Sequence, residues 1–208
     1  MRKQIALTLS LLLLLISGSV FAAPEVGKPA PEFMGVDSNG QVVKLADFVG
    51  KPVILEWTNH QCPYVRKHYQ SGNMQRIQRQ LTEAGATWIS IVSSAPGLQG
   101  YVEGDQANRL TAMRGSYADR VVLDPTGTIG RAYGAKTTPQ MFLIDEAGIV
   151  RYMGAIDNQP SSRRETLNGA RNYLLEAWTA FRAGKNIKAA VTKPYGCTVK
   201  YAPAAHSE

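Results

Sequence analysis

Hydrophobic and polar positions follow two rhythms along this chain, and the switches between them predict its elements. Residues 52–57 form a nearly unbroken apolar run of strand length, Pro52-Val53-Ile54-Leu55-Glu56-Trp57, interrupted by one carboxylate. Residues 63–84 then read as helix, with Met74, Ile77 and Leu81 along one stripe. Ser71-Gly72-Asn73 interrupts that stretch and predicts a kink or two helices, with Asn73 as an N-cap. Residues 87–92 are the next strand, and Pro96, Gly97, Gly100 and Gly104 mark a loop after it. Beyond lie a helix over 105–114, a strand over 120–123 and a short helix over 126–133. Two apolar runs, 140–144 and 149–153, flank Asp145-Glu146-Ala147-Gly148, a hairpin signal. A last helix is expected over 163–183, with Leu167, Ala170, Leu174 and Trp178 as its apolar seam. Strands alternating with helices, then a hairpin and a closing helix, imply an α/β domain with a mixed central sheet flanked by helices on both faces. Its sites are expected where strands run into helices, at the carboxyl ends of the sheet.

The amino terminus breaks this pattern. Arg2 and Lys3 precede a leucine-rich run over 5–16, and Val20-Phe21-Ala22 fits a small-x-small cleavage site. Residues 1–22 therefore read as a secretory signal peptide, the apolar run being short for a membrane anchor. One domain is expected over 23–201, with 202–208 a flexible tail. No stable membrane insertion is expected after cleavage. The location follows from export: periplasm in a host with an outer membrane, otherwise cell surface or medium.

Composition narrows the function classes. The chain has 208 residues, 44% hydrophobic and 19% charged, which excludes a disordered chain, a collagen-like fibre or a coiled coil. The formal charge of +7 falls to +5 once Arg2 and Lys3 are removed, since 23 − 2 = 21 basic residues face 16 acidic ones. With no basic run, that charge reads as solubility and not as nucleic-acid binding. Two cysteines exclude both a disulfide-dense scaffold and a four-cysteine zinc site, and export would let a disulfide between them persist.

Cys62 carries the clearest chemistry. The strand ends near Thr58, residues 59–61 turn, and Cys62-Pro63 opens the helix; proline suits a first helical turn because its missing N–H is not needed there. A cysteine at that place meets free backbone N–H groups and the positive end of the helix dipole, both of which favour thiolate. Arg66, Lys67, His60 and His68 lie close enough in sequence to add cationic support. The bland alternative is an inert buried cysteine. Cys197 lies after the last helix in Lys193-Pro194-Tyr195-Gly196-Cys197, a loop-like segment. It could fold back to resolve an oxidised Cys62, form a static clamp, or act between molecules.

Several ordered motifs together resemble a family. They are Pro31-Glu32-Phe33, Asp37-Ser38-Asn39-Gly40, Gly50-Lys51-Pro52, Cys62-Pro63, Leu123-Asp124-Pro125-Thr126-Gly127, Thr138-Pro139 and the Phe142-to-Gly148 hairpin. In that order they resemble the redoxin branch of the thioredoxin superfamily, which includes the alkyl hydroperoxide reductase/thiol-specific antioxidant proteins. Residues 62–69 and 93–101 are similar to an exported, peroxiredoxin-like subgroup. The resemblance covers about residues 26–200. It implies a thioredoxin fold with Cys62 in the reactive position, faced by Thr138-Pro139, whose proline is cis in that fold.

The departures define the question. Val65 stands where a C-x-x-C motif would place its second thiol, so Cys62 must use Cys197, another molecule or a small thiol. Where peroxiredoxins keep P-x-x-x-T-x-x-C, this chain has Leu55 and Asn59, and Thr58 is one residue early. The peroxide-orienting arginine falls at Pro139; Arg120 and Arg131 are the substitutes to check. Glu56 is either a proton carrier or an edge-strand charge, and Trp57 and Tyr64 either line the site or belong to the core. The reading is an exported, peroxiredoxin-like thiol oxidoreductase acting on a thiol/disulfide protein or a peroxide and reset by an external thiol reductant. Cys62 is its nucleophile and Cys197 its resolving thiol, supported by Pro63, Thr138, Pro139, His60, Thr58, Glu56 and Arg66. No cofactor and no resident metal are expected. The alternative is a non-catalytic redoxin domain that binds copper, through His60, Cys62 and His68, or a protein partner, with Cys62–Cys197 a structural disulfide.

Overall fold

A computed structural model describes residues 23–203; the predicted signal peptide and the end of the tail lie outside the described residues. The strands are β1 (Met34–Asp37), β2 (Val42–Lys44), β3 (Val53–Trp57), β4 (Thr87–Val92), β5 (Arg120–Leu123), β6 (Thr137–Thr138), β7 (Gln140–Ile144), β8 (Val150–Gly154) and β9 (Cys197–Thr198). The helices are α1 (Pro63–Gln70), α2 (Asn73–Glu83), α3 (Gly104–Met113), α4 (Thr128–Ala132) and α5 (Tyr173–Arg182). Seven strands form one sheet in the order β2-β1-β5-β4-β3-β7-β8, and β6 pairs with β9 apart from it. The β3–β4–β5 centre is parallel, while β1, β7 and β8 add antiparallel neighbours on either side. The mixed sheet expected from the alternating pattern is present, as is the thioredoxin fold.

Strand alternation sorts the core into two layers. Val53, Leu55 and Trp57 of β3 point to the face covered by α4 and the Leu45–Phe48 3-10 turn, meeting Ile129, Tyr133 and Leu45. Ile54 of β3, with Met141 and Leu143 of β7, points to the other face, where Val65, Met74, Ile77, Leu81 and Leu174 of α1, α2 and α5 bury it. The helical stripe Met74-Ile77-Leu81 is wholly buried. Each such side chain removed from water stabilises the fold by about 1.5–3 kcal/mol.

The elements differ from the sequence expectation at three points. The break between α1 and α2 falls as expected, but Gly72, not Asn73, is the N-cap. Gly72 takes φ 74, a left-handed turn that a side chain resists, and the freed Asn73 amide binds His68 Nδ1 at 2.8 Å. The closing helix begins only at Tyr173, capped by the Asn172 side chain on Leu175 N at 2.9 Å; Arg164–Leu167 is a separate 3-10 turn, with Gly169 at φ 74 between them. β1, β2, β6 and β9 carry no pattern long enough to declare them, being two to four residues each.

Candidate active site

Cys62 sits where the parallel strand β3 hands over to α1. Its N–H donates to the Asn59 carbonyl at 3.0 Å and its carbonyl receives Arg66 N at 2.9 Å, so the residue is the N-cap of α1 with Pro63 just inside. Asn59 locks the turn through Gln61 N (2.9 Å) and the Gln99 carbonyl (3.2 Å), and Gln61 Oε1 accepts from Gly100 N (3.1 Å). The residues between strand and helix are therefore tied to the 97–100 loop, and Cys62 is wholly buried.

Thr138 and cis-Pro139 face it, as the family pattern implies. Because β7 runs antiparallel to β3 with Gln140 opposite Trp57, the residues just before β7 come level with the turn that carries Cys62. The Cys62 thiol donates to the Thr138 carbonyl at 3.2 Å. Thr138 in turn pairs across β6–β9 with Cys197. One residue thus touches the first thiol and registers the second, and both thiols are free.

The two thiols are electrostatically unequal. Burial alone pushes the Cys62 thiol up, but the Cys197 thiol, the Thr138 side chain and the backbone amides of Val65 and Cys197 together bring it below its ordinary value. The Thr138 hydroxyl has no hydrogen bond of its own and is free to serve the thiolate. Cys197 moves the other way: burial and the neighbouring Cys62 thiolate hold its proton on. The pair can therefore carry one negative charge on Cys62 while Cys197 donates a hydrogen bond to it.

Cys197 arrives on a strap, residues 190–202, that crosses the domain in extended form. Thr192 N donates to the Met153 carbonyl at 3.1 Å, Val199 N to Lys136 at 3.0 Å, and Ala95 N to the Lys200 carbonyl at 2.8 Å. Tyr201 Oη donates to Ala135 at 2.8 Å beneath the Arg131 guanidinium, 4.5 Å from the ring centroid. Gly196 lies so close to the Thr138 carbonyl at φ 134 that no Cβ could fit, which brings the next residue, Cys197, against β6.

Two buried polar clusters flank α1. Glu56, predicted as a proton carrier or an edge charge, is on a central strand and wholly buried. Its carboxylate accepts from Tyr69 Oη (3.0 Å), Trp88 Nε1 (3.0 Å), Ser90 Oγ (3.1 Å) and Gln78 Nε2 (3.3 Å), which staples α1 and α2 to the sheet. The edge-charge option is overturned, because β4 and β7 cover both sides of β3. On the other flank, Lys67, His68 and Asp157 are each at most 1% exposed. Lys67 Nζ reaches the Gln159 carbonyl (3.0 Å), Tyr195 Oη (3.3 Å) and Asp157 Oδ2 (4.0 Å), and Tyr195 Oη donates to Asp157 Oδ1. Tyr195 also packs edge-on against Tyr64, centroids 5.9 Å apart.

This second cluster corrects the expectation of cationic support from the helix. Lys67 and His68 point into the Asp157 cluster, and burial with the adjacent Lys67 charge holds His68 down to about 3, neutral at any working pH. His60 and Arg66 line a groove toward α3 and make no hydrogen bond or ion pair to either thiol among the described residues. His60, Cys62 and His68 do not converge, and no group of three or more potential ligands comes together among the described residues. The two candidate arginines are occupied elsewhere, Arg120 by Asp37 at 3.6 Å and Arg131 by Tyr201. Trp57 is core, against Tyr133 and Phe142, and Thr58 is buried with its hydroxyl unpartnered. Asp157 and the anchoring of Tyr195 in its cluster were not found from the sequence; Tyr195, two residues before Cys197, was the available signal.

A thioredoxin-fold redoxin whose helix-capping cysteine lacks a C-x-x-C partner is the class that this fold and site define. Residues 26–153 match the AhpC/TSA family, and the chain belongs to it. It is 29% identical over 161 residues to "Thiol-disulfide oxidoreductase ResA" of Bacillus cereus, covering 72% of this chain and 87% of that protein. It is 30% identical over 139 residues to "Thiol:disulfide interchange protein DsbE" of Escherichia coli K12, covering 65% and 68%. Among solved structures, a hypothetical protein SMc02350 from Sinorhizobium meliloti superposes with a TM-score of 0.74 at 21% identity, covering 88% of this chain and 98% of that one. Peroxidoxin BcpB from Mycobacterium tuberculosis gives 0.53 at 15%, covering 77% and 97%. On family and relatives the chain is an enzyme, a thiol–disulfide oxidoreductase of the redoxin group. The family match ends before the strap that carries Cys197.

Proposed function

We propose that this enzyme is an exported, peroxiredoxin-like oxidoreductase that runs its cycle between Cys62 and Cys197. The Cys62 thiolate attacks one sulfur of a partner's disulfide, forming a mixed disulfide and expelling the other sulfur as thiolate. Cys197 then attacks the Cys62 sulfur; the Cys62–Cys197 bond forms, the partner leaves as thiolate, and the Cys197 proton neutralises it. A dithiol reductant outside the chain reduces the new disulfide and is itself oxidised. With a peroxide, Cys62 becomes sulfenic acid as the alcohol or water leaves, and Cys197 condenses with it, releasing water. One observation carries the reading: Thr138 binds the Cys62 thiol through its carbonyl and registers Cys197 across β6–β9.

Disulfides rank above peroxides, because Arg120 and Arg131 are both engaged away from Cys62. Export rests on the sequence of residues 1–22, and among the described residues no helix is long and apolar enough to cross a membrane. Intact mass provides the test. Reduced chain lacking residues 1–22, mixed with one equivalent of a peptide disulfide, should lose two hydrogens, while Cys197→Ser should stop at the peptide adduct. With hydrogen peroxide the same loss should follow more slowly. No adduct and no loss in either chain would remove the reading. The amino terminus of the secreted product should be Ala23.

A further inference from the structure

The surface beside Cys62, on the side away from the strap, carries arginines that form no ion pair among the described residues. Tyr64, Lys67 and His68 of α1 turn toward the strap and Asp157, whereas Arg66, Tyr69 and Gln70 turn the other way. There a groove of about 280 Å³ opens between α1 and α3, starting at His60, two residues before the nucleophile. Arg114 also lines a second groove, of about 640 Å³, which holds Arg76 and Arg79.

Four arginines elsewhere are paired, Arg151 with Asp145 (2.6 Å), Arg171 with Glu176 (2.7 Å), Arg120 with Asp37 (3.6 Å) and Arg182 with Glu146 (3.8 Å), while Arg109, Arg131, Arg163 and Arg164 form no ion pair among the described residues. Arg66, Arg76, Arg79 and Arg114 make no ion pair among the described residues, and Glu83 is the sole carboxylate lining either groove. Two of these guanidinium groups are held in place. Arg114 stacks on Tyr69 at 4.3 Å while its Nε donates to the Leu110 carbonyl, and Arg79 stacks on Tyr117 at 4.7 Å. Arg164 reaches the same rim through Gln70 (2.7 Å). Stacked guanidinium groups present their donor edges to carboxylates with little ordering left to do. Met113, 82% exposed, stands on the groove wall as an apolar contact.

We infer that these two grooves, which share Arg114, are the docking surface for the enzyme's protein partner, which presents an acidic segment next to its reacting cysteine. The inference rests on the reading of Cys62 as the nucleophile and adds the chemistry of what approaches it. Complementary charge raises the encounter rate and sets the register, so its signature is kinetic and dependent on salt.

The experiment compares three disulfides reacting with the reduced mature chain: a peptide dimer with glutamates flanking cysteine, the same peptide with lysines, and neutral 2-hydroxyethyl disulfide. The acidic dimer should react about tenfold faster than the basic one in low salt, and 0.5 M sodium chloride should erase most of that advantage. In Arg76→Glu/Arg79→Glu, the rate ratio of acidic to neutral disulfide should fall about tenfold. Equal rates for the two peptides, or an unchanged ratio in the double variant, would overturn the inference. Failure of the thiol reading is distinct, because the neutral disulfide would then be inert as well. In that case anisotropy of a labelled cysteine-free acidic peptide decides: binding lost in the double variant supports the surface, and no binding overturns it. Equally tight binding of a short DNA duplex would mark a general polyanion surface and overturn the assignment to a protein partner.

Discussion

The two cysteines are mounted in opposite ways. Cys62 caps a helix in the region that matches the family, behind which the Glu56 carboxylate accepts from four side chains with no donor left over. Cys197 sits on a two-residue strand beyond that region, and the cluster behind it is incomplete. Asp157 Oδ2 has no hydrogen bond, only Lys67 at 4.0 Å and His68 at 3.9 Å. A saturated buried network specifies one arrangement, whereas an under-satisfied one holds its partner with less to lose on release. Cys62 is fixed to the scaffold and Cys197 is fastened to it. That division suits a cycle in which Cys62, wholly buried under the strap, must become accessible to a partner and then be covered again.

If the contrast is right, its sharpest break is at the nucleophile. Cys62→Ser should abolish turnover of peptide disulfides, and a variant that still turns over would sink the assignment. Cys197→Ser should spare the first attack and block the second, so that mixed disulfide accumulates stoichiometrically by intact mass. Next comes the saturated cluster. Glu56→Leu leaves four donors facing an apolar side chain and should cost about 3–5 kcal/mol in denaturant unfolding. Tyr195→Phe removes one donor from Asp157 and should cost about 1–3 kcal/mol at most, while exposing Cys62. Alkylation of Cys62 by iodoacetamide should quicken in that variant while the unfolding midpoint falls less than in Glu56→Leu; unaltered alkylation would deny Tyr195 its positioning role.

The smallest effect separates the two thiols by pH. The folded state lowers the Cys62 pKa, so that group's stabilisation is present above an ordinary thiol's pKa and lost as pH falls through the depressed value. Cys197 is raised, so its contribution is present below the ordinary value and lost as pH rises through the higher one. Alkylation of Cys62 should therefore begin at lower pH than for a free thiol. In Cys197→Ala the inflection should move upward, since the Cys197 thiol is the foremost group stabilising the thiolate and alanine has no donor to replace it. An unmoved inflection would break the coupling.

Much of this was legible in the chain. Apolar runs of strand length along residues 53–57, 87–92 and 140–144 marked the central strands, because a strand covered on both faces is apolar at nearly every position. Cys62-Pro63 after an apolar run marked the start of α1 and the candidate cysteine at its cap, since helix-start chemistry is local. The family resemblance pointed to Thr138-Pro139 opposite. The sequence could also name Cys197 as the only other thiol, but it left the meeting of the two open. That meeting depends on a two-residue pairing, a glycine pressed against the Thr138 carbonyl, and a strap tied down by residues far apart in the chain. Lys67 and His68 looked like cations for Cys62 because they are near it in sequence; helix rotation turned both toward Asp157, ninety residues away and carrying no local signal. Periodicity and capping determine the elements and the activated cysteine, because both are short-range. Which side chains share a buried charge, and which thiol lies within reach, is decided by tertiary contacts that no window of the sequence contains.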